Sequence, residues 1–308
     1  MSKLVDQVGR RLAEMAVADD RIFVLDGDLA DSDGAIHFAQ AHPERFLMAG
    51  IAEQSMLSVA AGMASVGRRP FVFSFAAFLC YRAYDQIRVG LSQSKQPVVM
   101  VGSHAGGLSG RNGKTHAAPN DMALMLSLPN IEVWAPADHL DIDYMLSQLL
   151  GRDESCHQPA YVRAPRCAIT RAQNLPSEAG RVRWLRQKQP VTVVSCGVAS
   201  QWSHEVASQL SRHGIEVGLL HCLHVNDLAA LRDNLTDVEQ IFVIEDHNEF
   251  GGLASLLRQL ALSAPIKAIG WPMDFSGKSG DDDDIRHAYG LSVEQLVQWL
   301  LRELGANV

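Results

Sequence analysis

The sequence has no run of apolar residues approaching the roughly 20 needed to cross a bilayer, so a membrane partner is not expected. It also has no cluster of lysine and arginine: the basic residues are dispersed in a chain of net charge −8. Without a positive patch there is no electrostatic footprint for a polyanion, so nucleic acid is not an expected partner either. The five cysteines, Cys80, Cys156, Cys167, Cys196 and Cys222, are odd in number, far apart and include no CxxC pair. That pattern supplies neither a disulfide framework nor a zinc site. No internal repeat is present, and the residues after Met1 run directly into an amphipathic helical pattern rather than a targeting segment. The expected location is cytoplasmic.

What is present is a chain of 308 residues, 47% apolar, enough to build two domains of ordinary size. Short apolar runs at residues 21–25, 70–73, 97–101 and 131–134 read as buried strands separated by longer helical patterns. That alternation predicts α/β units around a mostly parallel sheet, with ligands at the carboxyl ends of the strands. A polar stretch from Thr170 to Gly180 reads as a linker. Beyond it a strand at 191–197, a helix at 200–213, strands at 215–220 and 240–245 and a closing helix at 292–304 make a second domain. The expected division is 1–170, a linker at 171–188, and 189–308. The run Asp281 to Asp284 reads as a solvated turn before a helix, because it lacks the spacing of a metal site.

Three segments carry chemistry. In Gly50-Ile51-Ala52-Glu53-Gln54-Ser55 a carboxylate precedes a helix of small residues, Val59-Ala60-Ala61-Gly62-Met63-Ala64. Close packing there would desolvate Glu53 and raise its pKa; a glutamate that merely complements a helix N-terminus fits the same segment. In Phe75 to Gln86, Phe75, Phe78 and Tyr81 follow a strand at helical spacing, suited to a flat heteroaromatic ligand and equally to a core. The third segment, Gly102 to His116, is glycine-rich and carries His104 and His116. Glycine admits close backbone approach to a ligand, and histidine moves protons near neutral pH.

In order and spacing these segments resemble the carboxy-terminal half of transketolases and deoxyxylulose phosphate synthases, over essentially the whole chain. Residues 245–252 and 275–280 resemble the family's last domain. The resemblance implies two doubly wound α/β domains: a thiamine diphosphate pyrimidine-binding domain and a transketolase C-terminal domain. It matches Glu53 to the glutamate that shares a proton with N1′ of the coenzyme aminopyrimidine, so that the 4′-amino group can take the thiazolium C2 proton. Asp28, Phe75, Phe78 and Tyr81 match coenzyme-binding positions, with Phe78 stacking on the pyrimidine. His104, His116 and Asn112 match positions facing a sugar, and Ser32 and Arg163 match positions that hold its phosphate.

Three departures from the family pattern refine the expectation. The Gly-Asp-Gly motif that holds the coenzyme diphosphate and a divalent metal such as Mg2+ is missing, since Asp26-Gly27-Asp28 is not that motif. A second subunit should therefore carry the diphosphate-binding domain, in an α2β2 heterotetramer. Asn112 stands where transketolases have an aspartate, and Val5 falls where an arginine is expected to bind phosphate. The implied reaction is transfer of a two-carbon ketol unit from a ketose to an aldehyde; the alternative is the β subunit of a 2-oxoacid dehydrogenase.

Overall fold

The computed structural model describes residues 3–151, 158–166, 176 and 178–306. Six strands, β1 (Ile22–Asp26), β2 (Phe46–Met48), β3 (Arg69–Phe75), β4 (Val99–Ser103), β5 (Glu132–Trp134) and β6 (Ala160–Ala164), form one parallel sheet in the order β2-β1-β3-β4-β6-β5. Successive side chains of a strand point to opposite faces, and here both faces are covered. Val24, Phe71, Phe73, Val99 and Val101 pack with Leu4 and Leu12 of the Leu4–Met15 helix and Ile142 and Leu146 of the His139–Leu150 helix. Their neighbours Leu25, Val72 and Met100 pack with Met56, Leu57 and Ala60 of the Glu53–Ser65 helix.

The second sheet contains β7 (Val182–Arg186), β8 (Val191–Ser195), β9 (Gly218–Cys222), β10 (Gln240–Asn248) and β11 (Ile266–Trp271), in the order β11-β10-β8-β9-β7. Only β7 is antiparallel, pairing with β9. It lies within the stretch expected as a linker at 171–188, so the second domain begins earlier than the polar composition suggests. Residues 167–175 and 177 lie outside the described residues. Asp281 caps the Asp282–Ala288 helix by accepting from the Asp283 amide at 3.0 Å, a local use of the aspartate run.

The apolar cluster on the Met56 face continues into the second domain through Val194, Cys196, Leu220 and Leu253. Buried charges also join the domains. Arg163 of β6 donates from Nε to both Asp121 oxygens, at 2.8 and 3.1 Å, and from Nη2 to the Asp246 carbonyl of β10 at 2.7 Å. Tyr161 adds a hydroxyl bond to Asp121 at 2.7 Å. On the far side, Arg183 of β7 lies 3.1 Å from Asp138 and 3.0 Å from Asp141, and Trp134 stacks on His224 with ring centroids 4.3 Å apart.

Arg163 and Asp121 are 3% and 0% exposed, so removing one charge strands the other. Arg163→Met should cost about 3–5 kcal/mol in urea unfolding, the usual effect of breaking a buried pair. Arg163→Met with Asp121→Leu should recover part of the loss. A single-variant cost below about 1 kcal/mol, the range of exposed pairs, would show the pair to be solvated.

Candidate active site

Strand order reverses between β1 and β3, because the chain moves outward from β1 to β2 and then returns to β1's other side. In an open parallel sheet, ligands bind in the crevice at such a reversal, beyond the carboxyl ends of the strands. The turn after β1 holds Asp28, the helix after β2 begins with Glu53, β3 ends at Phe75, and His104 follows β4. Asp28 and His104 have left-handed backbones, with φ of 71° and 54°. Such strain in non-glycine residues gathers where function constrains the chain. Beneath Asp28, the carboxyls of Asp26 and Asp33 tie down the turn by accepting from the Leu29 and Ala35 amides at 2.7 and 3.2 Å. Burial, reinforced by the charge of Asp26, pushes Asp33 up to about 9.

Glu53 is fully buried. Its Oε1 lies 3.4 Å from the Ser74 hydroxyl, and its Oε2 accepts from Arg82 Nη1 at 2.6 Å. The helix it begins does not bury it by close packing of small residues, as expected. Gln54, Ser55, Ser58, Val59 and Gly62 are exposed, and a Cβ added to Gly62 would meet nothing within 4 Å. Burial comes instead from the sheet side and from the chain beyond β3, where Phe78–Arg82 forms a π-helical turn. That wide turn carries Arg82 back over the site, with its guanidinium carbon 4.4 Å from the Phe78 ring centroid. π turns are rare and concentrate at functional sites.

Phe75 and Phe78 stack at 5.7 Å, and both histidines close on them. His104 lies 4.0 Å from Phe75, and His116 lies 5.7 Å from Phe75 and 5.2 Å from Phe78, between ring centroids. Glu53, Phe75, Phe78, His104 and His116, separate in sequence, therefore share one wall. Burial, with contributions from Arg166, Lys3 and His116, pushes His104 down to about 4.

The second domain sets the histidine loop. Asp246 Oδ1 accepts from the Gly107 amide at 2.9 Å and from the Trp271 indole at 2.7 Å. Gly106, at φ 85°, has no room for a side chain: a Cβ would lie 1.9 Å from Asp246 Oδ2. Farther along, Ser279 and Gly280 bond to the Arg111 and Gly110 carbonyls at 2.7 and 3.1 Å. Burial, opposed mainly by Arg163, raises Asp246 to about 6.

Other expected site residues lie differently. Tyr81 donates to Asn120 and lines a cleft of about 500 Å3 with Phe250 and Met273 of the second domain. Asn112 is exposed on the loop, and Ser32 is half-buried after β1. Arg163 is committed to Asp121 and Asp246, which makes it part of the domain joint rather than the substrate-facing cation expected of it. Arg166, just past β6, is 41% exposed and lies 3.5 Å from Asp282. Val5 is 1% exposed in the core, so that position offers no phosphate contact. Lys3, two residues earlier, is, after Arg166, a second cation whose charge reaches His104. Arg82, Arg166, Lys3 and Asp246 were not singled out by sequence reasoning. The Arg-Ala-Pro-Arg spacing at 163–166 was the only visible hint, since it offers two guanidiniums where one was assigned.

Residues 3–171 match the family model of the transketolase pyrimidine-binding domain, and residues 180–296 that of the transketolase C-terminal domain. The chain belongs to the transketolase family. It is 30% identical to the 6-deoxy-6-sulfo-D-fructose transketolase subunit SqwH of Clostridium sp. (strain MSTE9), across 93% of this chain and 90% of that one. It is 29% identical to a putative transketolase C-terminal section from Methanocaldococcus jannaschii, across 96% and 94%. Among solved structures, a split-gene transketolase in an inactive beta4 tetramer superimposes with a TM-score of 0.83 at 29% identity, covering 98% of each chain. Against the transketolase-like protein 1 of Bos taurus, at 32% identity, the chain spans 96% of its own length and half of that protein.

Membership makes this a transketolase-like transferase, and the family implies dependence on thiamine diphosphate. The residues fit that coenzyme. A buried carboxylate and the face of Phe78 already hold a flat, cationic N–H donor between them in the Arg82 guanidinium, the arrangement an aminopyrimidine requires.

For His104, the ring should remain neutral in NMR titration from pH 8 down to about 5, while exposed histidines titrate near 6.5. Unfolding exposes a ring that protonates near 6.5, whereas the folded one waits until about 4. Its contribution to stability is therefore complete above 6.5 and is lost as pH falls toward 4. A His104 titration midpoint above 6 would contradict the burial.

Proposed function

We propose that this chain is the pyrimidine-activating subunit of a two-component transketolase, working with a second subunit that carries the diphosphate-binding domain and its divalent metal, in an α2β2 assembly. The observation that carries the reading is the fully buried Glu53 beside Phe78 and the two histidines, on a chain that lacks the Gly-Asp-Gly motif. Supporting the partner is the uncovered surface beside Glu53. Leu47, Met48, Ile51 and Val59 are exposed on and before the helix that Glu53 begins, apolar surface suited to an interface. The split proteins it resembles are comparable in length to this chain.

Thiamine diphosphate supplies a nucleophilic thiazolium carbon when bound. Glu53 holds or releases the proton at the pyrimidine nitrogen, Phe78 stacks on the ring, and Phe75 backs the stack. Asp28 bounds the crevice next to the coenzyme. His104, neutral at working pH, donates to or accepts from a sugar hydroxyl, and His116 moves the second proton; Asn112 and Ser32 line the path outward. Arg166 and Lys3 attract the anionic end of the ketose. The relative in Clostridium is named for a sulfonated ketose, and two cations suit a sulfonate as well as a phosphate.

The deciding assay compares ketose-to-aldehyde transfer with oxidation of a 2-oxoacid by an artificial acceptor, using the reconstituted pair. Ketol transfer is expected; turnover of only the oxoacid would establish the dehydrogenase alternative. Glu53→Gln should slow hydrogen–deuterium exchange at the coenzyme C2 roughly a hundredfold or more, the lower range for a positioned proton-transfer group. Unchanged exchange would remove Glu53 from the mechanism. Arg166→Gln should raise KM for phosphorylated and sulfonated ketoses while leaving an uncharged ketose unaffected; equal losses on all three would exclude an anion contact.

A further inference from the structure

The Arg82 side chain performs two tasks at once. Its Nη1 lies 2.6 Å from the buried Glu53 carboxylate, and its guanidinium carbon sits over Phe78, 4.4 Å from the ring centroid. These are the two surfaces that the proposed function gives to the aminopyrimidine. A guanidinium and a protonated aminopyrimidine share the relevant chemistry: each is flat, delocalised and cationic, and presents N–H donors along one edge. One place cannot hold both.

We propose that Arg82 is a resident stand-in for the aminopyrimidine, closing the site in the coenzyme-free subunit and withdrawing when thiamine diphosphate binds. The physical need is clear. Glu53 is 0% exposed, and an ionised carboxylate buried without a cation is strongly destabilising. Arg82 meets that need until the coenzyme arrives. Its own side chain is 42% exposed, so solvent is available to receive it. Among the described residues, no ion pair or ring contact other than those with Glu53 and Phe78 holds the Arg82 guanidinium in place. The guanidinium therefore keeps the pocket filled while lowering the apparent affinity for the coenzyme.

The inference rests on the coenzyme reading above, and the test separates the two. Thiamine diphosphate binding to the reconstituted two-subunit enzyme is measured by equilibrium dialysis for the unaltered protein, Arg82→Ala, Arg82→Lys and Glu53→Gln, with the melting temperature of each free subunit. Arg82→Ala should lower the melting temperature of the free subunit yet tighten coenzyme binding about tenfold, as expected when a conformation populated about one part in ten becomes the only one. Arg82→Lys, which keeps the charge but not the plane, should fall between and serves in place of the alanine variant should that one not fold. Glu53→Gln should weaken binding. Coenzyme affinity that is unchanged or reduced in both Arg82 variants, with Glu53→Gln still weakened, would overturn the stand-in and leave the coenzyme reading intact. Absence of coenzyme binding to the unaltered pair would overturn both.

Discussion

The bonds made by the Arg163 guanidinium tie the carboxyl ends of both sheets together. From β6 it reaches the Asp121 carboxylate that begins an earlier helix of its own domain and the Asp246 carbonyl at the end of β10 in the other. Both charges are buried, so their attraction acts in a medium that screens it poorly, and the orientation of one sheet against the other is set where the chemistry lies. Asp246 is thereby placed to hold Gly107, and Gly107 is three residues from His104. The loop that carries His104 is positioned from beneath by this buried contact.

This arrangement gives the second domain a definite task. Its sheet also reverses direction, between β8 and β10, and open α/β sheets bind ligands at such a place. Here the crevice is filled by the first domain: Gly106 lies against Asp246, and the Ala123 amide bonds to His247 at 3.1 Å. A location that would serve a small molecule serves as a grip on the histidine loop. The absence of room for a side chain at Gly106 follows from that grip.

Much of this was legible from residue patterns. Short apolar runs identified the buried strands of the first sheet, and Phe75, Phe78, His104 and His116, picked out from separate segments, lie together in the fold. What could not be read was contact across distance. Arg163 and Asp121 are 42 residues apart, and Arg163 and Asp246 are 83, so Arg163 looked like a substrate ligand. Tyr81 was grouped with Phe75 and Phe78 by helical spacing, but the π turn widens the period and rotates Tyr81 to the cleft. The strand β7 was hidden because an edge strand is half-exposed and half-polar, with alternating burial over Val182–Arg186, and so resembled the polar segment before it.

The joint between the domains also bears on how such a gene can be divided. Relatives differ in this respect: the transketolase-like protein 1 of Bos taurus is about twice the span that this chain matches, whereas the split-gene transketolase is matched over 98% of its length. The boundary inside this chain is different. A break between β6 and β7 would separate Arg163 from Asp246 and Arg183 from Asp138 and Asp141, leaving buried charges without partners and an apolar core open on both fragments. Buried charges and a shared apolar core thus hold these two domains together in addition to the chain itself.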